Sequence, residues 1–241
     1  MWRENQEELK QEFFDRFTRG QKAELIPYLR TFVTPERDAR IRSVLANRTR
    51  HFTIVLEDLF QTQNISAVMR TSECYGIQDV HIVEKEYEFM IHQAISMGAN
   101  KWLTLHNYQN EPGNVKRCAE HLHRAGYKLV ATLPAENSLF LQDLPVEDKA
   151  AFWFGTELTG LSDEAIACCD CAVKIPMYGF TESFNISNSV AILVSNMMER
   201  LHHSNVNWQL SDDETTELTF EWLCKSIREP AFIIQDYWKR K

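Results

Sequence analysis

Between residues 52 and 202 the chain alternates short β-type runs with helical stretches, and that alternation leaves few folds open. The runs are Phe52 to Leu56, Val80 to Val83, Trp102 to His106, Lys128 to Thr132, Ala151 to Phe154 and Ala172 to Ile175, and helical patterns lie at about 64–75, 112–125, 162–169 and 187–202. This predicts an α/β fold, a mostly parallel sheet with helices on both faces. Residues 1–50 read instead as helix. Glu7 to Phe17 and Gln21 to Phe32 are broken at Arg19-Gly20, and Thr34 as N-cap with Pro35 at the first helical position opens a third helix to about Asn47. From Leu210 onward the chain is polar and helical again, with Trp222 and Trp238 as anchors. The expected organisation is a helical extension over 1–50, the α/β domain over 51–204 and a second helical extension over 205–241. No internal repeat is visible.

Composition narrows the class. With 44% hydrophobic and 25% charged residues, 241 residues make a globular chain that buries a full core, not a disordered one. The densest apolar run, Val190 to Met198, is interrupted by Ser195 and Asn196, so no membrane span is expected. Met1-Trp2-Arg3-Glu4-Asn5 is charged from the start and carries no apolar signal region, which predicts a cytoplasmic protein. The six cysteines are then expected as thiols. Cys168-Cys169-Asp170-Cys171 has a C-x-x-C spacing, but no second pair completes a metal set, so a helix end leading into a strand is expected there and no metal.

The net charge of −8 argues against a polyanionic partner until its distribution is considered. Residues 1–50 hold 11 Lys and Arg against 8 Asp and Glu, a balance of +3, while residues 51–241 hold 15 against 26, or −11. Arg30, Arg37, Arg40, Arg42, Arg48 and Arg50 are opposed only by Glu36 and Asp38. Such a stretch is a solvated helix face or a phosphate-docking surface. Arg40 and Arg48 are the residues expected to touch a partner's phosphates; Arg37 and Arg42 are expected to serve the helix packing.

A sheet of this kind invites a nucleotide site, yet no G-x-G-x-x-G follows the first strand, Gly155 and Gly160 lack the Lys-Ser/Thr of a P-loop, and no G-x-S-x-G elbow occurs. Polar residues gather instead at three strand ends, where open α/β sheets bind ligands. The first cluster is Gln63-Asn64-Ile65-Ser66-Ala67-Val68-Met69-Arg70-Thr71, in which Asn64 reads as an N-cap and Gly76 closes the helix. Ile65, Val68, Met69 and Ser72 share one face, and Arg70 points away from it. The second cluster is Phe154-Gly155-Thr156-Glu157-Leu158-Thr159-Gly160-Leu161, and the third runs from Ile175-Pro176-Met177 through Gly179 to Ser183-Phe184-Asn185-Ile186-Ser187.

In this order and spacing the clusters resemble the three motifs of the SpoU (TrmH-type) RNA 2′-O-ribose methyltransferases of the SPOUT class. The patterns N-x-x-A-x-x-R-T, G-x-E-x-x-G and I-P-M-x-G-x-x-x-S-x-N-x-S are present, and the likeness covers about residues 35–202. Pro35-Glu36-Arg37 through Asn47 also looks like the opening of the tRNA (guanosine-2′-O-)methyltransferase branch. The resemblance implies transfer of a methyl group from S-adenosyl-L-methionine (SAM) to a ribose 2′-hydroxyl, most simply the D-loop guanosine of tRNA. It also implies a C-terminal trefoil knot, which nothing in the periodicity suggests, and a cofactor cleft in that knot set against the partner subunit of a homodimer. Carried over by position, Thr132, Gly155, Ile175, Met177 and Phe184 line the cleft, Phe184 standing where Leu is commoner.

A ribose hydroxyl is a poor nucleophile and must lose a proton while held in line with the sulfonium methyl. Arg70 is the family's catalytic position. Because a guanidinium gives up its proton only at high cost, binding the adjoining phosphate and stabilising the developing alkoxide is the preferred role, with direct proton abstraction as the alternative. Asn64, Glu157, Ser183 and Asn185 would orient Arg70, the ribose and the loops. Two other readings stay open at this level, a methyltransferase acting on ribosomal RNA and a catalytically silent RNA-binding protein of the same fold. The acidic residues Asp212, Asp213, Glu214 and Glu217 argue against an RNA-gripping C-terminal tail.

Overall fold

The computed structural model describes residues 11–59, 61–86 and 98–241, so the start of the first expected helix, residues 7–10, lies outside the described residues. Two compact units emerge, one spanning Thr49–Trp208 and the other joining the segment up to Arg48 with Gln209–Lys241. The two helical extensions are therefore one packed body.

In that body the described helices are α1 (Gln11–Phe14), α2 (Arg19–Arg30), α3 (Pro35–Leu45), α8 (Asp212–Ser226) and α9 (Pro230–Arg240). The break before α2 falls at Thr18, whose hydroxyl accepts from Gln21 N–H while the Gln21 side chain returns to Thr18 N–H. Thr34 caps α3 ahead of Pro35, as its sequence predicts. Leu25, Leu29, Ile41, Leu45, Leu218, Phe220 and Leu223 form the interior, with Phe14 and Phe17 edge-on to Phe220. The expected acidic tail is the first turns of α8, and it is engaged. Asp213 pairs with Arg19, Glu217 with Lys22, and Glu214 completes a capping box with Ser211. At α9, Lys241 and Tyr237 both bond Glu24 of α2.

The α/β unit runs β1 (Phe52–Glu57), α4 (Thr62–Cys74), β2 (Asp79–Val83), β3 (Thr104–Tyr108), α5 (Asn114–Arg124), β4 (Lys128–Thr132), β5 (Leu139–Phe140), β6 (Ala150–Phe154), α6 (Asp163–Cys168), β7 (Cys171–Lys174) and α7 (Ile186–His202). Among the described residues its seven strands pair in parallel, in the order β3-β2-β1-β6-β4-β7-β5. Side chains alternate across the sheet as the pleat requires. Phe52, Ile54, Leu56, Phe152 and Phe154 face a core closed by Ile65, Val68 and Met69 of α4 and Val190, Leu193, Val194 and Met197 of α7. Val55, Ala151 and Trp153 face the other core, closed by Val115, Cys118 and Leu122 of α5 and Ala165 of α6. Each fully buried side chain of this size contributes about 1.5–3 kcal/mol.

Sequence and structure differ in detail. Trp102 ends a 3₁₀ turn, Ala99–Trp102, so β3 starts two residues later than expected. The two-residue β5 at the sheet edge has no sequence signal. Cys168 ends α6 and Cys171 opens β7, and all six cysteines are free. No helix among the described residues is long and apolar enough to cross a membrane.

Candidate active site at the strand ends

β1 and β6 are neighbours, paired as far as Leu56 and Phe154, so the chain leaves two adjacent strands at one edge of the sheet. The strand order also reverses here, since β2 and β3 lie on one side of β1 and all later strands on the other. That is the crevice position of open α/β sheets.

The three polar clusters meet at this edge. Asn64 Nδ2 donates to Glu157 Oε1 at 2.9 Å, and Asn185 Nδ2 donates to the same oxygen at 2.5 Å and to Asn64 Oδ1 at 3.2 Å. Asn185 Oδ1 in turn accepts the N–H and hydroxyl of Ser187 at 2.9 and 2.5 Å, capping α7. One carboxylate oxygen thus gathers amides from α4 and from the segment before α7. Hydrogen bonds to a charged acceptor contribute about 1.5–3 kcal/mol where buried, and less in a half-exposed setting such as this one. Asn64 is not the expected N-cap. That place falls to Gln61, which makes no side-chain capping bond, and Asn64 sits in the first turn with its amide shared between Glu157 and, at 3.2 Å, Gln61 Oε1.

Arg70 lies six residues beyond Asn64 on α4, about 9 Å along the axis. It is exposed, on the side away from buried Ile65, Val68, Met69 and Ser72, and makes no hydrogen bond or ion pair among the described residues. A cation left without an internal partner is available to an anionic ligand. Ser183 is likewise exposed and unbonded among the described residues. The structure therefore unites Asn64, Glu157 and Asn185, and brings neither Arg70 nor Ser183 into hydrogen bonding with them.

Of the residues expected to line the cofactor cleft, Thr132, Gly155 and Ile175 close or follow β4, β6 and β7, which are adjacent in the sheet. The Thr132 hydroxyl donates to Trp153 O at 2.7 Å, tying β4 to β6 at this end. A Cβ on Gly155 would lie 2.1 Å from the Gly160 carbonyl carbon and oxygen and 2.2 Å from Leu161 N, so only glycine fits. The closeness follows from a tight loop in which Thr156 and Gly160 exchange backbone hydrogen bonds of 3.0 Å. Ile175 packs on the core, Met177 is half-buried and Phe184 is exposed.

Sequence reasoning missed Glu57, the last residue of β1 and 2% exposed, which accepts from Ser162 N–H at 2.9 Å and Ser162 Oγ at 2.6 Å and pairs with Lys85 at 3.2 Å. An acid ending an apolar strand run was the available signal. A second titratable cluster is centred on Asp79, where β2 begins. Asp79 bonds Arg50 and His106, His106 stacks on His81 at 4.3 Å, and Tyr108 bonds His81 and His121. Burial would raise Asp79, but His106 and Arg50 together hold it below the usual range. Among the described residues no group of three His, Cys, Asp or Glu is placed to hold a metal ion.

The arginines sort differently from expectation. Arg40 is exposed on α3 with no ion pair among the described residues, as is Arg37, whereas Arg42 is exposed and pairs with Asp38 at 2.7 Å, an acid shared with Arg30 at 3.2 Å. Arg48 is 0% exposed, its guanidinium 5.2 Å over the Trp222 ring. It stabilises the helical body and reaches no phosphate, because the helices enclose it.

Comparison with known proteins completes the picture. Residues 51–195 match the model of the SpoU rRNA methylase family. A tRNA (guanosine(18)-2′-O)-methyltransferase of Borreliella burgdorferi is 40% identical over 86% of this chain and 94% of that protein, and one of Escherichia coli is 26% identical over 78% and 82%. Among solved structures, the Aquifex aeolicus TrmH/SpoU tRNA modifying enzyme superposes with a TM-score of 0.71 at 23% identity, over 80% of this chain and 98% of that one. The methyltransferase AviRb of Streptomyces viridochromogenes, solved with AdoMet, gives 0.58 at 20% identity over 67% and 65%. With its three motifs joined at one sheet edge and its α/β unit matched nearly end to end, this chain belongs to the SpoU rRNA methylase family.

Proposed function

We propose that the chain methylates the ribose 2′-hydroxyl of a tRNA guanosine, guanosine 18, with SAM as donor. The observation that carries the reading is the Asn64–Glu157–Asn185 junction on the helix that also carries Arg70, exposed and unpartnered among the described residues. The relatives' names supply the substrate.

The edge formed by Thr132, Gly155, Ile175 and Met177, with Phe184 alongside, suits SAM. Its wall is backbone where no Cβ fits, and its floor is apolar. When bound, SAM would supply an activated methyl group to the ribose oxygen. Glu157 holds Asn64 and Asn185, and so fixes α4 and the segment before α7 against each other. Arg70 neutralises the phosphate next to the reacting ribose and stabilises the alkoxide as the hydroxyl passes its proton to solvent water. Ser183 lies on the same segment as Asn185 and orients the ribose.

We read the working form as a cytoplasmic, metal-independent homodimer. Tyr178 and Leu158 are each 97% exposed and Phe180 is open to the same degree, an apolar set beside the site that a second copy would cover. A trefoil knot fits the strand order, because β6 enters between β1 and β4, and β7 between β4 and β5, strands already laid down. On the helical body, Arg40 is a contact to tRNA phosphates.

The test is methylation of tRNA transcripts and of ribosomal RNA with labelled SAM, followed by mapping of the modified nucleotide. Arg70→Ala is expected to lower turnover by about 10²–10⁴-fold while leaving SAM affinity nearly unchanged. Normal turnover in that variant, or methylation of ribosomal RNA alone, overturns the reading.

A further inference from the structure

Glu57 is buried, charged, and outside the three motifs, which makes its presence costly unless something needs it. It ends β1 one residue past Leu56, as Gly155 follows β6 one residue past Phe154. From Gly155 the chain makes its tight loop, buries Leu161, and returns to β1 at Ser162. There Glu57 Oε2 accepts the Ser162 N–H at 2.9 Å and Oε1 accepts the Ser162 hydroxyl at 2.6 Å. The Lys85 ammonium stands 3.2 Å from Oε1, and the Ser162 oxygen is itself an acceptor for Ala165 N–H at the start of α6. Ser162 therefore presents two donors side by side, and a carboxylate is the side chain that meets both with acceptors. Glutamine would set an NH₂ against one of them.

The loop is thus tied at both ends to the ends of β1 and β6, and Glu157 is carried between the ties. We infer that Glu57 is a positioning residue for the methyl transfer proposed above: its clamp on Ser162 sets where the loop presents Glu157 to Asn64 and Asn185. The inference rests on that functional reading for its kinetic consequence, and on geometry alone for the loop.

Both halves are testable. Glu57→Gln leaves one Ser162 donor unmet, and hydrogen exchange at the Thr156 and Gly160 amides, which bond each other across the loop, is expected to quicken by at least tenfold whether or not the enzyme turns over. Exchange as slow as in the unaltered protein overturns the clamp. In kinetics, Glu57→Gln is expected to lower kcat by about 10–100-fold at saturating SAM, with KM for tRNA changed less than threefold, because small misplacement of a fixed group falls on the reacting geometry. If Glu57 acts through Glu157, adding Glu57→Gln to Glu157→Gln lowers kcat no further than twofold. Multiplying effects, or a lowered Tm with unaltered kcat well below it, overturn the positioning role.

Ser162→Ala, which keeps the backbone donor, supplies a milder variant should Glu57→Gln fail to fold. It is expected to lose three- to tenfold in kcat, again without further loss in the Glu157→Gln background. If the unaltered enzyme methylates no RNA, the functional reading falls, and the exchange result still decides the clamp.

Discussion

Gly155→Ala adds a single methyl group at the tightest backbone approach of the site. Its Cβ would meet the Gly160 carbonyl at 2.1 Å, where real Cβ atoms stay beyond 3.0 Å, so the loop must open by about 1 Å. Opening breaks the two backbone hydrogen bonds between Thr156 and Gly160, each worth about 0.5–1.5 kcal/mol net, for a loss of about 1–3 kcal/mol. The same movement draws Glu157 off the amides of Asn64 and Asn185, and misplacement of about 1 Å in a catalytic constellation costs about 10²-fold. The expected result is a Tm lower by several degrees and a methylation rate down about 100-fold, measured by differential scanning calorimetry and by initial rates on tRNA. Gly160→Ala is the control: its φ of +68° disfavours a side chain, but nothing lies within 4 Å of the added carbon. That variant pays only backbone strain, about 1 kcal/mol, and keeps more of its activity. Wild-type Tm and turnover in Gly155→Ala would refute the argument that the close approach shapes the site.

Two further outcomes are expected. Arg40→Ala is expected to weaken tRNA binding and to flatten the slope of log affinity against log salt by roughly 0.7–0.9, while Arg48→Ala lowers the Tm and leaves the slope per bound phosphate alone; an unchanged slope in Arg40→Ala places the RNA elsewhere. Burial, reinforced by His106, presses His81 down from 6.5 to about 3. As pH falls from 6.5 toward 3 the unfolded chain takes up a proton that the folded one refuses, and stability is lost at up to about 1.4 kcal/mol per pH unit. Urea melts at pH 7 and pH 5 should differ by about 2 kcal/mol, and by less in His81→Gln. Equal midpoints for the unaltered protein would exclude the effect.

What the amino-acid sequence disclosed depended on the range of the interaction. The strands were legible because a parallel strand buried on both faces is a nearly continuous apolar run, and Phe52 to Leu56, interrupted only by Thr53, is one. The orientation of Arg70 was legible because helical period alone decides which face Ile65, Val68 and Met69 share. Asn64 was misread as a cap because its partner, Glu157, is 93 residues away, and a local rule assigns a local partner. Arg48 counted as a free cation for the same reason, since the ring beneath it belongs to a helix at the other end of the chain. Glu57 left only one faint trace, an acid closing an apolar strand run. Its meaning lies in the two donors of Ser162, which come together only when β1 and β6 pair.

The helical body is built from both ends of the chain, and this has a consequence for synthesis. Leu25 and Leu29 of α2 are fully buried, and α8, whose Leu218, Phe220 and Leu223 share that interior, is translated only after the whole α/β unit. Until then the amino-terminal helices leave the ribosome with an apolar flank and nothing to lay it against. A product that stops short of Asp212 keeps every strand and the Asn64–Glu157–Asn185 junction, yet carries this flank bare, a marker by which chaperones and proteases can tell unfinished chains from finished ones.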